Sequence, residues 1–125
     1  MGFCDALRET LAASGKKVAF VASGDMAHIG RKFDDPYDAA TMLTTVEEED
    51  KHLLRAMEES NAEEYFRRIA SVEDTYKICG LPPVYTMLEL TKCSGGSSLA
   101  YEQWHERSTR SAVTYSSVAY YDIAV

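Results

Sequence analysis

The stretch Ser23-Gly24-Asp25-Met26-Ala27-His28 places a carboxylate and an imidazole three residues apart. It directly follows an apolar, β-branched run from Lys17 to Ala22, which predicts a buried strand. Ligands in open α/β sheets bind beyond the carboxyl ends of such strands. On a turn, Asp25 and His28 can share one face, where the carboxylate orients the imidazole or both side chains approach one metal ion or substrate. In the structural alternative, Asp25 caps a helical turn and His28 packs beside it.

Cys79 is the third residue with candidate chemistry. It stands before Gly80-Leu81-Pro82-Pro83, a pattern typical of the start of a helix. The unpaired amides and the dipole at a helix start favour the thiolate, which is the form that binds metals. The alternative is a buried cysteine that packs as a small hydrophobe. Together with Cys4 and Cys93 it makes an odd count without zinc-type spacing, so a disulfide framework is not expected.

The remaining histidines and the tyrosines of the C-terminal region favour structural roles. His52 lies in a charged helical segment and is expected to face solvent, while His105 lies at a strand end and is expected to be structural or exposed. The tyrosines have strand spacing and are expected in the core. The sequence contains no P-loop, dinucleotide-binding glycine fingerprint, His-Glu-x-x-His zinc motif or Gly-x-Ser-x-Gly elbow, and no cofactor-binding residues are assigned.

Composition limits the class of protein and its partners. The 125 residues, 46% of them hydrophobic, suffice for one domain over residues 1–125. The formal net charge of −7 argues against nucleic-acid binding, which needs clustered Lys and Arg. No apolar run approaches the roughly 18 residues of a membrane span, and the start lacks the features of a secretory signal. We therefore expect a cytoplasmic protein without a membrane partner.

The periodicity of the apolar residues and the positions of helix-capping and turn residues predict an α/β fold in which a partial sheet is flanked by helices. Acidic residues mark the outer faces of two central helices. The predicted elements, in chain order, are a helix from Asp5 to Ala13, the strand from Lys17 to Ala22, a loop from Gly30 to Tyr37, helices beginning near Thr45 and Asn61, a helix after Pro82-Pro83 that ends near Ser94, and strands from Ser98 to Trp104 and from Ala112 to Val125.

Five blocks of the sequence, taken in order, resemble the second half of the Memo family. This family includes AmmeMemoRadiSam system protein B and the eukaryotic mediator of ErbB2-driven cell motility. The most specific blocks are Ser-Gly-Asp-x-x-His and Ile-Cys-Gly, and the resemblance covers roughly residues 5 to 125. The blocks are residues 18–30 (VAFVASGDMAHIG), Asp50, residues 78–83 (ICGLPP) with Tyr85 and Leu88, residues 99–103 (LAYEQ) and residues 116–120 (SSVAY).

The resemblance implies a fold and a pocket. Memo proteins are similar in fold to the class III extradiol dioxygenases, which are non-haem iron enzymes with an α/β sheet. The resemblance implies that Cys79 and His28 are metal ligands, that His28 also serves as acid or base, and that Asp25 orients it. The implied metal is iron or copper. Family members are about twice this length, so the chain corresponds to a C-terminal portion, an incomplete Memo-like domain whose metal site lacks the histidines of the first half.

Two classes of function follow from this resemblance. In the first, the parent pocket holds a non-haem metal for redox chemistry. In the second, the chain is a non-enzymatic module whose pocket binds a peptide or small ligand. A further alternative is that the fragment has no independent activity. The expected partners are a small-molecule or peptide ligand and, because the apolar strand needs cover on both faces, a second copy or the missing N-terminal half.

Overall fold

Four helices flank a three-stranded sheet in the computed structural model, which describes residues 2–121. This arrangement confirms the predicted α/β class. Among the described residues, no helix is long and apolar enough to cross a membrane. The helices are α1 (Phe3–Ser14), α2 (Leu43–Glu58), α3 (Ala62–Ser71) and α4 (Leu81–Thr91), the strands are β1 (His28–Gly30), β2 (Gly96–Glu106) and β3 (Ser111–Tyr120), and short 3-10 turns cover Arg31–Phe33, Ala39–Thr41 and Arg107–Thr109.

The sheet is antiparallel, and its strand order is β1-β3-β2. Strands β2 and β3 form a long hairpin whose register runs from Gly96 opposite Tyr120 to Glu106 opposite Ser111. The short β1 pairs only with the beginning of β3, where His28 lies opposite Val113. The central strand β3 therefore has neighbours on both sides only in its first half.

The predicted strand from Lys17 to Ala22 is wrong. Residues 17–22 run without regular structure, and their backbone makes no hydrogen bond to another described residue. The side chain of Val21 is 90% exposed. An apolar, β-branched sequence favours a strand, but a strand forms only where a neighbour supplies the ladder of hydrogen bonds. The chain instead pairs with β3 a few residues later, in β1, which the sequence did not indicate.

The helices and the hairpin agree with the sequence prediction. Asn61 caps α3 by accepting a hydrogen bond from the amide of Glu64 at 3.0 Å, and the two prolines stand in the first turn of α4. Both hairpin strands start one or two residues before the predicted positions. Of the strand predicted from Ala112 to Val125, residues 122–125 lie outside the described part of the chain.

The core forms where the inner faces of α2, α3 and α4 meet the residues around β1. Residues three and four apart on a helix share one face, which explains why the apolar positions of α2 are buried together. The buried core residues include Met26, Ala27 and Ile29 near β1, Val46, Leu53, Leu54, Ala56 and Met57 of α2, Tyr65 and Ile69 of α3, and Val84 and Leu88 of α4.

A buried carboxylate ties α2 to the sheet. Asp50 is 1% exposed, and it accepts a hydrogen bond from the hydroxyl of Tyr101 at 2.7 Å. The amide of Gln103 donates to that same tyrosine oxygen and to the carbonyl of Leu43. Burial raises the pKa of Asp50, and the hydrogen bonds from Thr114 and Tyr101 offset this only in part. Folding therefore shifts the proton equilibrium of this carboxyl group towards its protonated form.

The raised pKa of Asp50 predicts a pH-dependent effect of Asp50→Asn. A carboxyl group whose pKa is raised on folding stabilises the fold fully when the pH is below its pKa in the unfolded chain, about 3.9. This contribution is lost as the pH rises through its pKa in the folded protein. The uncharged asparagine still accepts from Tyr101. We expect the free energy of unfolding of the variant, relative to wild type, to increase from about pH 4 to about pH 7 in urea titrations. If the variant and the wild type differ in unfolding free energy by the same amount at both pH values, the raised pKa of Asp50 is contradicted.

Candidate metal site

Asp25, His28 and Cys79 lie together in the structure. Each offers one ligand atom, and these three atoms lie within 4.8 Å of one another. Asp25 belongs to the loop before β1, His28 begins β1, and Cys79 stands immediately before Gly80, the N-cap of α4. The fold thus brings together two sequence blocks that are 54 residues apart.

Two backbone contacts hold the thiol beside the carboxylate. The amide of Asp25 donates to Cys79 Sγ at 3.1 Å, and the carbonyl of Asp25 accepts from the amide of Gly80 at 2.9 Å. The two segments approach so closely that a Cβ atom on Gly24 would lie 2.6 Å from Gly80 Cα. Glycine at both positions therefore allows the contact.

A backbone carbonyl fixes the imidazole of His28. Its Nδ1 lies 2.8 Å from the carbonyl oxygen of Lys77, which can only accept a hydrogen bond, so Nδ1 carries the proton. In the neutral ring Nε2 then has a free lone pair, and it lies 3.8 Å from Asp25 Oδ2. The ring of Phe33 packs edge-on against the imidazole, with ring centroids 5.2 Å apart. Two electron-rich atoms face each other here, an arrangement that a proton or a cation between them stabilises.

Asp35 connects the turn that contains Lys77 to β1. Lys77 has a positive φ of 52°, and its Nζ donates to Asp35 Oδ1 at 2.9 Å. The other oxygen of Asp35 accepts from the amide of Gly30 at 2.9 Å. Burial raises the pKa of Asp35, but the hydrogen bonds from Lys77 and the Gly30 amide outweigh it and hold that pKa below its usual value. The ion pair thus connects the residue that orients His28 to the strand that carries it.

Thr114 of β3 anchors the loop between Asp25 and His28. Its hydroxyl accepts from the amide of Ala27 at 2.8 Å, its carbonyl accepts from the amide of Met26 at 2.8 Å, and its amide donates to the carbonyl of Ala27 at 2.9 Å. The side chain is completely buried. Neither Thr114 nor Lys77 was identified from the sequence, because their contacts involve backbone atoms of distant segments that leave no sequence motif.

The site faces solvent on one side and a cavity on the other. The side chain of Asp25 is 51% exposed and that of His28 is 17% exposed, and Cys79 is exposed. A cavity of about 680 Å³ begins at Gly24, Asp25 and Met26 and continues between residues 18–22, α4 and β3. Asp25 therefore lines both the candidate metal site and the cavity.

The start of α4 does not supply the unpaired amides that were expected beside Cys79. The amides of Gly80 and Leu81 donate to backbone carbonyls, and Pro82 and Pro83 have no N–H group. The start of α4 thus offers no free amide to Cys79 in these positions, and the sulfur accepts from the amide of Asp25 instead. A further expectation is wrong: the site does not lie at the carboxyl end of a strand, because residues 17–22 form none. The carbonyl of Lys77 holds Nδ1 of the imidazole, and Asp25 lies on its Nε2 side.

The other histidines and cysteines lie apart from this group. His52 is exposed on α2, as expected, and His105 is half-buried in β2. Cys4 and Cys93 are free thiols of intermediate exposure. Across residues 2–121, Asp25, His28 and Cys79 form the one group of three potential metal ligands that comes together.

Comparison with known proteins identifies related sequences. Residues 1–123 match a family model described as Memo-like protein. A MEMO1 family protein of Aquifex aeolicus is 31% identical over 106 residues, which cover 81% of this chain and 26% of that protein. The chain thus corresponds to about a quarter of the length of this relative.

The three bonds of Thr114 predict how the loop responds to substitution. Thr114→Val keeps the shape of the side chain but removes the hydroxyl that accepts from the buried amide of Ala27 and hydrogen-bonds Asp50, which costs about 1–3 kcal/mol of unfolding free energy. Thr114→Ser keeps the hydroxyl and should retain most of the stability. Urea unfolding of both variants tests this. Equal losses in the two variants would show that the hydroxyl does not anchor the loop.

Proposed function

Since the chain belongs to the Memo-like family, we propose that Asp25, His28 and Cys79 contribute ligands to a non-haem site that binds iron or copper for redox chemistry. One observation carries this proposal. The Nε2 lone pair of His28 faces the Asp25 carboxylate at 3.8 Å, with the Cys79 sulfur in the same group of atoms. A cation placed among them would satisfy all three.

The donor set fits a transition metal. Imidazole suits iron and copper, and a thiolate is a soft ligand that favours Cu(I) and iron over Mg²⁺ or Ca²⁺. Ligands about 2.0–2.3 Å from an ion in tetrahedral geometry lie about 3.3–3.8 Å from each other. The observed spread of up to 4.8 Å is larger, and binding of an ion would require rotation of the Asp25 and Cys79 side chains, both of which are exposed. Three protein ligands leave coordination positions for a substrate or for ligands from outside this chain.

When bound, iron or copper supplies one-electron redox chemistry and Lewis acidity. The contribution of the chain is the position of its donors. The Lys77 carbonyl keeps the proton of His28 on Nδ1, so Nε2 faces the site and either binds the metal or exchanges a proton with a substrate. Asp25, on the Nε2 side, attracts a cation or positions that proton. The amide of Asp25 donates to Cys79 Sγ and stabilises negative charge on the sulfur.

The proposal predicts that metal binding depends on one particular thiol. We expect Cys79→Ser to weaken the binding of Fe(II) or Cu(I) at least about 100-fold under anaerobic conditions, because a hydroxyl replaces the softest ligand. Cys93→Ser is the matched control, since Cys93 lies outside the group of three potential ligands. Co(II) serves as a spectroscopic probe, and its thiolate charge-transfer band should disappear only in Cys79→Ser.

Three results would contradict the proposal. Equal loss of metal binding in the two variants, or no loss in either, would indicate adventitious binding. Absence of binding by the wild-type chain would instead favour a pocket that binds a peptide or small ligand without a metal, or a chain without independent activity.

A further inference from the structure

Asp50 is a buried carboxyl group outside the candidate metal site. Two hydroxyl groups donate to it, that of Tyr101 at 2.7 Å and that of Thr114. The Thr114 hydroxyl is also the group that accepts from the amide of Ala27 at 2.8 Å. One shared hydroxyl group therefore connects Asp50 to residues 25–28, which we call the ligand loop because it carries two of the three proposed ligands.

The hydroxyl of Thr114 makes the one side-chain bond among three hydrogen bonds that join this residue to the ligand loop. The other two, at the amide of Met26 and the carbonyl of Ala27, join backbone groups. Ala27 and Thr114 are both completely buried, so solvent does not reach the bond between the hydroxyl and the Ala27 amide. A buried amide that loses its acceptor is destabilising. The placement of the ligand loop thus depends on where the Thr114 hydroxyl points.

Asp50 determines where that hydroxyl points. A hydroxyl group has one proton to donate, and its oxygen accepts only on the sides that this proton leaves free. An N–H group such as that of Ala27 can only donate, so the Thr114 proton must point elsewhere. A carboxyl group keeps an acceptor oxygen for this proton whether it is ionised or neutral. The bond to Asp50 thereby directs the free side of the Thr114 oxygen to the ligand loop.

We propose that Asp50 is a positioning residue for the ligand loop. Its carboxyl group accepts from the Thr114 hydroxyl and so directs the hydroxyl oxygen to the amide of Ala27. This amide lies in the chain between two proposed ligands, Asp25 and His28, so the bond fixes how they are placed relative to each other. The proposal rests on the proposed metal site, which gives the placement of the loop its function, and it extends the support of that site to a residue of α2.

Asp50→Asn interrupts this support with little change in shape. Gln103 donates to the oxygen of Tyr101, so the tyrosine proton needs an acceptor at residue 50. The asparagine therefore turns its oxygen to Tyr101 and its NH2 group to Thr114. The Thr114 proton then has no acceptor at residue 50, and the NH2 group competes with the amide of Ala27 for the same oxygen. The bond that holds the ligand loop is weakened while the carboxamide keeps the volume of the side chain.

Hydrogen exchange of backbone amides, followed by NMR on the full chain without metal, tests the proposal. We expect the Ala27 amide of Asp50→Asn to exchange at least about 10-fold faster relative to the amide of Ile69, since a local bond is lost. Ile69 is buried in α3 and reports the stability of the whole fold. A purely structural role of Asp50 would accelerate both amides together. Circular dichroism shows whether the variant is folded.

Tyr101→Phe is the matched control. It removes the other hydroxyl that donates to the same carboxyl group, but it leaves the bond between Asp50 and Thr114 in place. The ratio of the Ala27 and Ile69 exchange rates should therefore stay within about 2-fold of the wild-type value. In a Thr114→Val background, which lacks the hydroxyl, Asp50→Asn should not accelerate exchange at Ala27 any further, because the two changes act on one bond.

Metal affinity gives a second readout that overall stability would not move. Asp50→Asn should raise the dissociation constant of Co(II) about 10-fold, because the loss of a group that supports metal ligands weakens binding by this order. The thiolate charge-transfer band should remain, since Cys79 is unchanged. Tyr101→Phe should leave the dissociation constant near its wild-type value.

The proposal is overturned by an unchanged ratio of the two exchange rates in Asp50→Asn, by an equal change of this ratio in Tyr101→Phe, or by a full additional effect of Asp50→Asn in the Thr114→Val background. If Asp50→Asn does not fold, the wild-type chain decides, because a buried hydroxyl proton bonded to Asp50 should give a slowly exchanging NMR signal for Thr114. Absence of this signal would contradict the bond. Amide exchange needs no metal ion, so failure of the proposed metal binding is seen in a separate measurement.

Discussion

The backbone contact between Asp25 and the Cys79–Gly80 step is the constraint on which the rest of the site depends. The amide of Asp25 donates to the sulfur, and its carbonyl accepts from the next amide along the chain. The contact requires glycine at positions 24 and 80, because a Cβ atom on Gly24 or Gly80 would collide with the opposite backbone. Backbone contacts alone therefore place the Cys79 thiol beside Asp25, without any bond to the Asp25 side chain.

Backbone groups also set the other fixed parts of the site. The Lys77 carbonyl determines the tautomer of His28, and Thr114 attaches the intervening loop to the buried part of β3. Asp25 and Cys79 are exposed, while the groups that position them are largely internal. Buried supporting groups with accessible ligand atoms suit metal binding, because the supports stay in place while the exposed side chains adjust to the ion.

The candidate metal site and the 680 Å³ cavity share one residue. Asp25 contributes its side chain to the group of ligands and lines the cavity, and its backbone turns the chain away from β3 to open that cavity. A molecule in this cavity would lie next to the Asp25 carboxylate, so its presence would alter the electrostatics and solvent access of the metal site.

The sequence by itself determined the features that depend on local interactions and on the sequence blocks of the family. The Asn61 cap and the helical spacing of α2 were sufficient to locate helices, and the Ser-Gly-Asp-x-x-His and Ile-Cys-Gly blocks were sufficient to select Asp25, His28 and Cys79 and to indicate the Memo family. Only the tertiary structure decided that residues 17–22 are not a strand and that His28–Gly30 is one. It also decided that Lys77 orients the imidazole. The reason is physical: a helix satisfies its own backbone, whereas a strand or an oriented side chain needs a partner from a distant part of the chain, and local sequence does not specify that partner.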